Sequence, residues 1–149
     1  MSNLVKRTLT GIVFLIVLIG SITWNEYSFA ILFILITAIT VNEFYSLIDK
    51  DIAIPQKLTG IIAASLLFAT NFLAAYLSNY TILLINIPVI SLIFIFELFR
   101  DKDHPFANIG YTLLAVFYFA ASYALLAHIY MFPKNIFNGQ HSSNLLLGT

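Results

Sequence analysis

The sequence predicts an all-α membrane protein, a polytopic bundle of about five transmembrane helices and the start of a sixth, with the amino terminus in the cytoplasm. Three observations predict it. Of 149 residues, 60% are hydrophobic and only 9% charged, with a mean hydropathy of +0.94; a soluble domain of this length cannot hide so much apolar surface. The charges fall in short clusters separated by apolar stretches, most of them long enough to cross the hydrocarbon core, which takes roughly 17 to 25 residues. These stretches are apolar on every face, as in Ile12-Val13-Phe14-Leu15-Ile16-Val17-Leu18-Ile19. That pattern suits a helix in lipid, whereas an outer-membrane strand alternates apolar with polar residues over about ten positions.

The spans follow in order. Thr8 to Thr23 is the first and a little short, and Ser28 to Leu47 the second; Leu58 to Leu77, Ile82 to Phe99 and Ile109 to Phe132 complete the set. Trp24, Tyr27, Tyr80 and Tyr130 fall near span ends, where amphipathic rings sit at headgroup level. Small residues at helical spacing, Gly60 with Ala64 and Ala120 with Ala124 and Ala127, mark faces where helix backbones approach closely. The same faces are compatible with a homo-oligomer. Pro88 lies inside the fourth span and should kink or interrupt it, since it lacks an amide hydrogen and crowds the preceding turn.

Orientation comes from the basic residues. Lys6, Arg7, Lys50, Lys57, Arg100 and Lys102 fall on one side of this topology, and of the seven basic side chains Lys134 alone falls on the other. The positive-inside rule puts the richer side in the cytoplasm. Lys6-Arg7 before an apolar core also fits a secretory signal peptide, but no small-x-small cleavage site with a polar follow-on appears before the next hydrophobic segment. A helical hairpin is the better reading. At the other end, the apolar run Leu145-Leu146-Leu147 starts and stops within a few residues, as the first turn of a sixth span in a longer polypeptide would.

Several chemistries are excluded. Seven basic and seven acidic residues cancel, so nothing points to nucleic acid, and the absence of Cys removes disulfides and thiolate chemistry. No His-Glu-x-x-His, Gly-x-Ser-x-Gly or Walker loop occurs. Ionisable groups at membrane depth are the remaining places to look. Glu43 is about a turn inside the end of the second span, either a buried carboxylate awaiting a cation or an interfacial one reaching headgroup water. Glu97 precedes Arg100 by three residues, the spacing of a surface ion pair that fixes helix depth. His128, alone in the fifth span, reads as a hydrogen-bonded packing residue, while His104 and His141 lie in loops. No catalytic, cofactor-binding or metal-binding residue is assigned.

Taken in order, four segments resemble a known family. Lys6-Arg7-Thr8-Leu9-Thr10-Gly11 leads straight into a span, Glu43-Phe44-Tyr45-Ser46-Leu47 leaves the second, Thr112 to Tyr118 opens the fifth, and Leu145-Leu146-Leu147-Gly148 begins the next. This order resembles the amino-terminal half of bacterial phosphatidate cytidylyltransferases, the CDP-diacylglycerol synthases. The resemblance implies a multi-pass enzyme of the bacterial inner membrane that joins CTP to phosphatidate with Mg²⁺, releasing pyrophosphate. It also implies that the chain is inactive alone. The family's late Ser-x-x-Lys-Arg, Lys-Asp, His-Gly-Gly and Asp-Arg signature has no counterpart here, Lys50-Asp51 and Lys102-Asp103 lying in unrelated loops. Two other classes stay open: a noncatalytic membrane assembly protein, permitted by the small-residue faces, and a small transporter subunit, motivated by Pro88 and Glu43, for which Asn71 and Asn86 offer isolated polar groups.

Overall fold

A computed structural model describes residues 3–48 and 50–133; the expectations for Lys134, His141 and the run at Leu145 lie outside them. Five helices long and apolar enough to cross a membrane account for nearly all of this. They are α1 (Asn3–Trp24), α2 (Glu26–Leu47), α3 (Lys57–Leu77), α4 (Asn86–Arg100), which is preceded by a 3₁₀ segment Tyr80–Ile85, and α5 (Pro105–Pro133). No strand occurs among the described residues. All five predicted spans are present, each extended by one to five residues at one or both ends when the fourth is counted with its 3₁₀ segment. α1, expected to be short, runs for 22 residues because its helix continues through the polar Lys6-Arg7 turn.

The interruptions have local causes. Asn25 is extended (φ −158°, ψ 154°) between α1 and α2. Ser78 turns left-handed (φ 51°) and returns its amide to Ala74 O, closing α3 as an αL cap does. Pro88 does not kink the middle of a helix. It sits in the first turn of α4, just after the 3₁₀ segment, where a missing amide costs little. The break expected from it is thus a change of winding at the start of the helix. Pro105 occupies the first turn of α5, extending that helix into the turn expected to be a loop.

α3 is the hub, with 50% of its span window buried against 6% for α1, which packs along α2, accepts a hydrogen bond from the Tyr130 hydroxyl of α5 at Ile22 O (3.0 Å), and otherwise faces outward. Two clusters hold the bundle. One joins Val41 and Tyr45 of α2 to Ala63, Ala64 and Leu67 of α3, Ile93 of α4 and Ala115, Val116 and Ala120 of α5. The other is aromatic, with Phe29 and Phe33 of α2 against Phe68 and Phe72 of α3 and Ala127 and Met131 of α5. Phe29 stacks on Tyr130 with ring centroids 4.4 Å apart. The predicted small-residue faces lie in these seams: Gly60, Ala64, Ala120, Ala124 and Ala127 are all buried. In lipid such contacts act through packing, since acyl chains are as apolar as leucine.

α5 contains a π turn, Val116–Ala120. Asn108, Thr112, Val116, Ala120 and Ala124 recur every fourth residue and are all buried. A straight helix of 3.6 residues per turn overshoots by about 40° at each step of four. The wider π turn takes up that drift and keeps one stripe facing the bundle.

Candidate functional site

The starts of α1, α3 and α5 and the ends of α2 and α4 lie at one end of the bundle, with Lys6, Arg7, Lys57, Arg100 and Lys102. At this basic end a polar network is buried. Its centre is Glu97, 3% exposed, one turn from the end of α4. Glu97 Oε2 accepts from Arg100 Nη1 at 2.8 Å and from Gln56 Nε2 at 2.7 Å, and Oε1 accepts from Asn108 Nδ2 at 2.6 Å. One carboxylate thus takes three donors from three elements. Burying a charge on this scale is tolerable only with such complete pairing.

The network also straps down the segment between α2 and α3. Ile54 N donates to Asn108 Oδ1 at 2.6 Å, Gln56 N to Thr112 Oγ1 at 2.9 Å, and Arg100 Nη1 to Ile54 O at 3.1 Å. Gln56 Nε2 reaches Ile93 O at 2.8 Å as well, while its Oε1 is buried with no partner among the described residues. Thr112 Oγ1 returns a hydrogen bond to Asn108 O at 2.7 Å, the local i to i−4 bond of a helical threonine. Tyr45 completes the set from α2, its hydroxyl donating to Thr112 O at 2.9 Å. This close approach depends on Gly60: a Cβ there would lie 2.7 Å from Tyr45 Cζ and 2.8 Å from Cε2.

The predicted pair of Glu97 and Arg100 forms, but not as a surface pair. Its carboxylate side is buried, with 1% of the side chain exposed against 27% for Arg100, because Gln56 and Asn108 fold over it. Glu43 is exposed on α2 and takes no place in the network, so the buried carboxylate of this bundle is Glu97. His104 is exposed in the turn before α5. His128 Nδ1 is buried without a hydrogen-bond partner among the described residues, which corrects the expectation of a bonded packing histidine. It lines a cavity of about 230 Å³ with Asn71, Leu67 and Ala124, at the end away from Glu97.

The sequence reading names neither Gln56 nor Asn108, and takes in Tyr45 and Thr112 only as members of the segments that resemble the family. A usable signal exists in the pair Asn108 and Thr112, polar groups four apart at the entrance of an apolar helix and so on one face. The network does not fit a divalent cation. Glu97 is its single carboxylate, both its oxygens are engaged by N–H donors, and a guanidinium already balances its charge.

Fold and network define a multi-pass α-helical membrane protein whose polar groups converge at one end of the bundle. Residues 5–144 match the model of the cytidylyltransferase family, and the chain belongs to that family, the one that contains the phosphatidate cytidylyltransferases. No curated protein and no solved structure matches it.

Proposed function

We propose that this chain is the amino-terminal membrane portion of a phosphatidate cytidylyltransferase. A phosphate oxygen of phosphatidate attacks the α-phosphorus of CTP, the bond from that phosphorus to the β-phosphate bridging oxygen breaks, and CDP-diacylglycerol and pyrophosphate result. The observation that carries this reading is the family match over residues 5–144, nearly the whole sequence. The clustered phosphate charge of such a reaction calls for Mg²⁺. Its ligands and the catalytic groups are assigned to residues outside this chain, since the family's Ser-x-x-Lys-Arg, His-Gly-Gly and Asp-Arg segments do not occur in it.

In this reading the basic end faces the cytoplasm of a bacterial cell, where soluble CTP meets phosphatidate of the inner leaflet, as the distribution of basic residues supports. The Glu97 network serves as scaffold, holding the α2–α3 strap and the starts of α3 and α5 in one arrangement at that face. Its polar groups bond one another instead of lining a path through the bundle, which favours this role over transport. The test is an assay of the purified chain, alone and extended by the codons that follow residue 149, for CTP-dependent formation of CDP-diacylglycerol with Mg²⁺. Turnover by the extended protein and none by the chain alone is the expected result. Turnover by the chain alone would place the catalytic groups inside it, and a downstream frame without Lys-Asp and His-Gly-Gly would remove the assignment.

A further inference from the structure

α1 joins the bundle only at the end away from Lys6. Residues 4–17 are all exposed, and the buried or half-buried positions, Leu18, Gly20, Ser21 and Ile22, fall in its last two turns. There the Tyr130 hydroxyl of α5 donates to Ile22 O at 3.0 Å, and a groove of about 380 Å³ between α1 and α2 is lined by Val17, Gly20, Ser21, Leu32 and Leu35, among others. The facing side of α2 is bare as well, for Leu35, Ile39 and Glu43, four apart, form an exposed stripe from that groove to the basic end. Two neighbouring membrane helices are thus packed at one end and unpacked over most of their length, which leaves a cleft between them that widens toward the basic end.

The two walls carry opposite charges at one level. Lys6 precedes Asn25 by 19 residues and Glu43 follows it by 18, so at the helical rise both stand about 28 Å from it. Lys6, Val13 and Gly20 recur every seventh residue and share a face of α1, the one that lines the groove at Gly20, while Arg7 lies about 100° further around the helix. Both Lys6 and Glu43 are exposed, and neither side chain has an ion pair or a hydrogen bond among the described residues. Glu43 lies one turn inside the end of α2, where a bare carboxylate facing lipid is costly and calls for a cation. At the interaxial distance of packed helices, about 8–10 Å, a lysine and a glutamate on facing sides reach each other. The connection suits a pivot. It is the single residue Asn25, extended at φ −158° and ψ 154° and giving α2 no side-chain cap, and a hinge needs only one or a few such positions to absorb a change in φ and ψ. Ile22 is three residues from it, so the bond from Tyr130 stays near the axis while Lys6 moves furthest.

We propose that α1 is a hinged helix that pivots at Asn25 and closes on α2, laying Val13 and Val17 against Leu35 and Ile39 and latching through an ion pair between Lys6 and Glu43. Open, it leaves a lateral gap beside the inner half of α2; closed, it seals that gap and takes a bare carboxylate out of lipid. The device stands apart from the transferase reading, since it uses no residue of the Glu97 network and no step of the reaction.

The test is thiol cross-linking of the full chain in phosphatidylcholine vesicles, free of background because the sequence has no Cys. Thr10→Cys with Ile39→Cys puts one thiol on each wall of the cleft, both at exposed positions about 22 Å from Asn25 at the helical rise. Oxidation should join them within one chain, read as the loss of both thiols from the monomer to maleimide-polyethylene glycol. Ile12→Cys with Ile39→Cys, with the first thiol on the far side of α1, should not react. Lys6→Glu and Glu43→Lys should each slow the cross-link by about three- to fivefold, the scale of one partly exposed ion pair, and the two charge changes together should restore it. Absence of the cross-link, a rate unaltered by either charge reversal, failure of the exchanged charges to restore it, or a cross-linked dimer in place of the monomer would each overturn the hinge, the last by assigning the cleft to a second copy. Lys6, Thr10, Ile12, Ile39 and Glu43 are all exposed, so these variants leave the packed bundle intact. Turnover is not read, so the outcome is separate from that of the cytidylyltransferase assay.

Discussion

Gly60→Ala tests the seam that brings α2 against α3 and sets Tyr45 in the network. The added Cβ would stand 2.7 Å from Tyr45 Cζ, and ordinary contact starts at 3.4 Å, so the ring must retreat by at least about 0.7 Å. Tyr45 is 2% exposed and anchored by its hydroxyl to Thr112 O at 2.9 Å, so retreat either stretches that bond or spreads the helices. Overpacking of this kind costs about 1–3 kcal/mol, and a weakened buried hydrogen bond adds about 0.5–1.5 kcal/mol. The better helix propensity of alanine returns about 0.5–1 kcal/mol. A net destabilisation of about 1–3 kcal/mol is expected, read by steric-trap unfolding in bicelles. Tyr45→Phe removes the atom nearest the new methyl, so Gly60→Ala should cost about 1 kcal/mol less in that background than in the wild type. A Gly60→Ala protein as stable as the wild type, with the two substitutions simply additive, would refute the packing argument.

Two further outcomes follow from the network and the topology. Arg100→Leu should lose about 3–5 kcal/mol in the same unfolding assay, since it leaves the buried Glu97 carboxylate without its countercharge, and Glu97→Leu should lose less, because the 27%-exposed Arg100 side chain can turn to water, while the double variant should lose clearly less than the sum; strict additivity would mean that the pair is not coupled. The chain has no Cys, so single cysteines report sidedness without background. In intact bacterial cells Ser78→Cys should react with a membrane-impermeant maleimide and Lys102→Cys only after permeabilisation, and the reverse pattern would invert the proposed orientation.

What could be read along the chain was whatever depends on length and composition alone. A peptide group in hydrocarbon must bond within its own helix, so an all-round apolar run becomes a span wherever it occurs, and small residues at helical spacing mark the seams whichever helix fills them. Residues 5–144 fall in the expected family for the same reason, since their order of segments is itself a linear property. Gln56, Glu97 and Asn108 are a different matter. The bond from Gln56 to Glu97 spans 41 positions, and its formation depends on how α3, α4 and α5 are rotated and how deep each one sits. Glu43 and Glu97 look alike as carboxylates near span ends, yet one is exposed and the other is enclosed by three donors. Polarity and periodicity cannot separate them, because burial of a polar side chain is decided by the partner that a neighbouring helix brings to it, and that partner is assigned only when the helices pack.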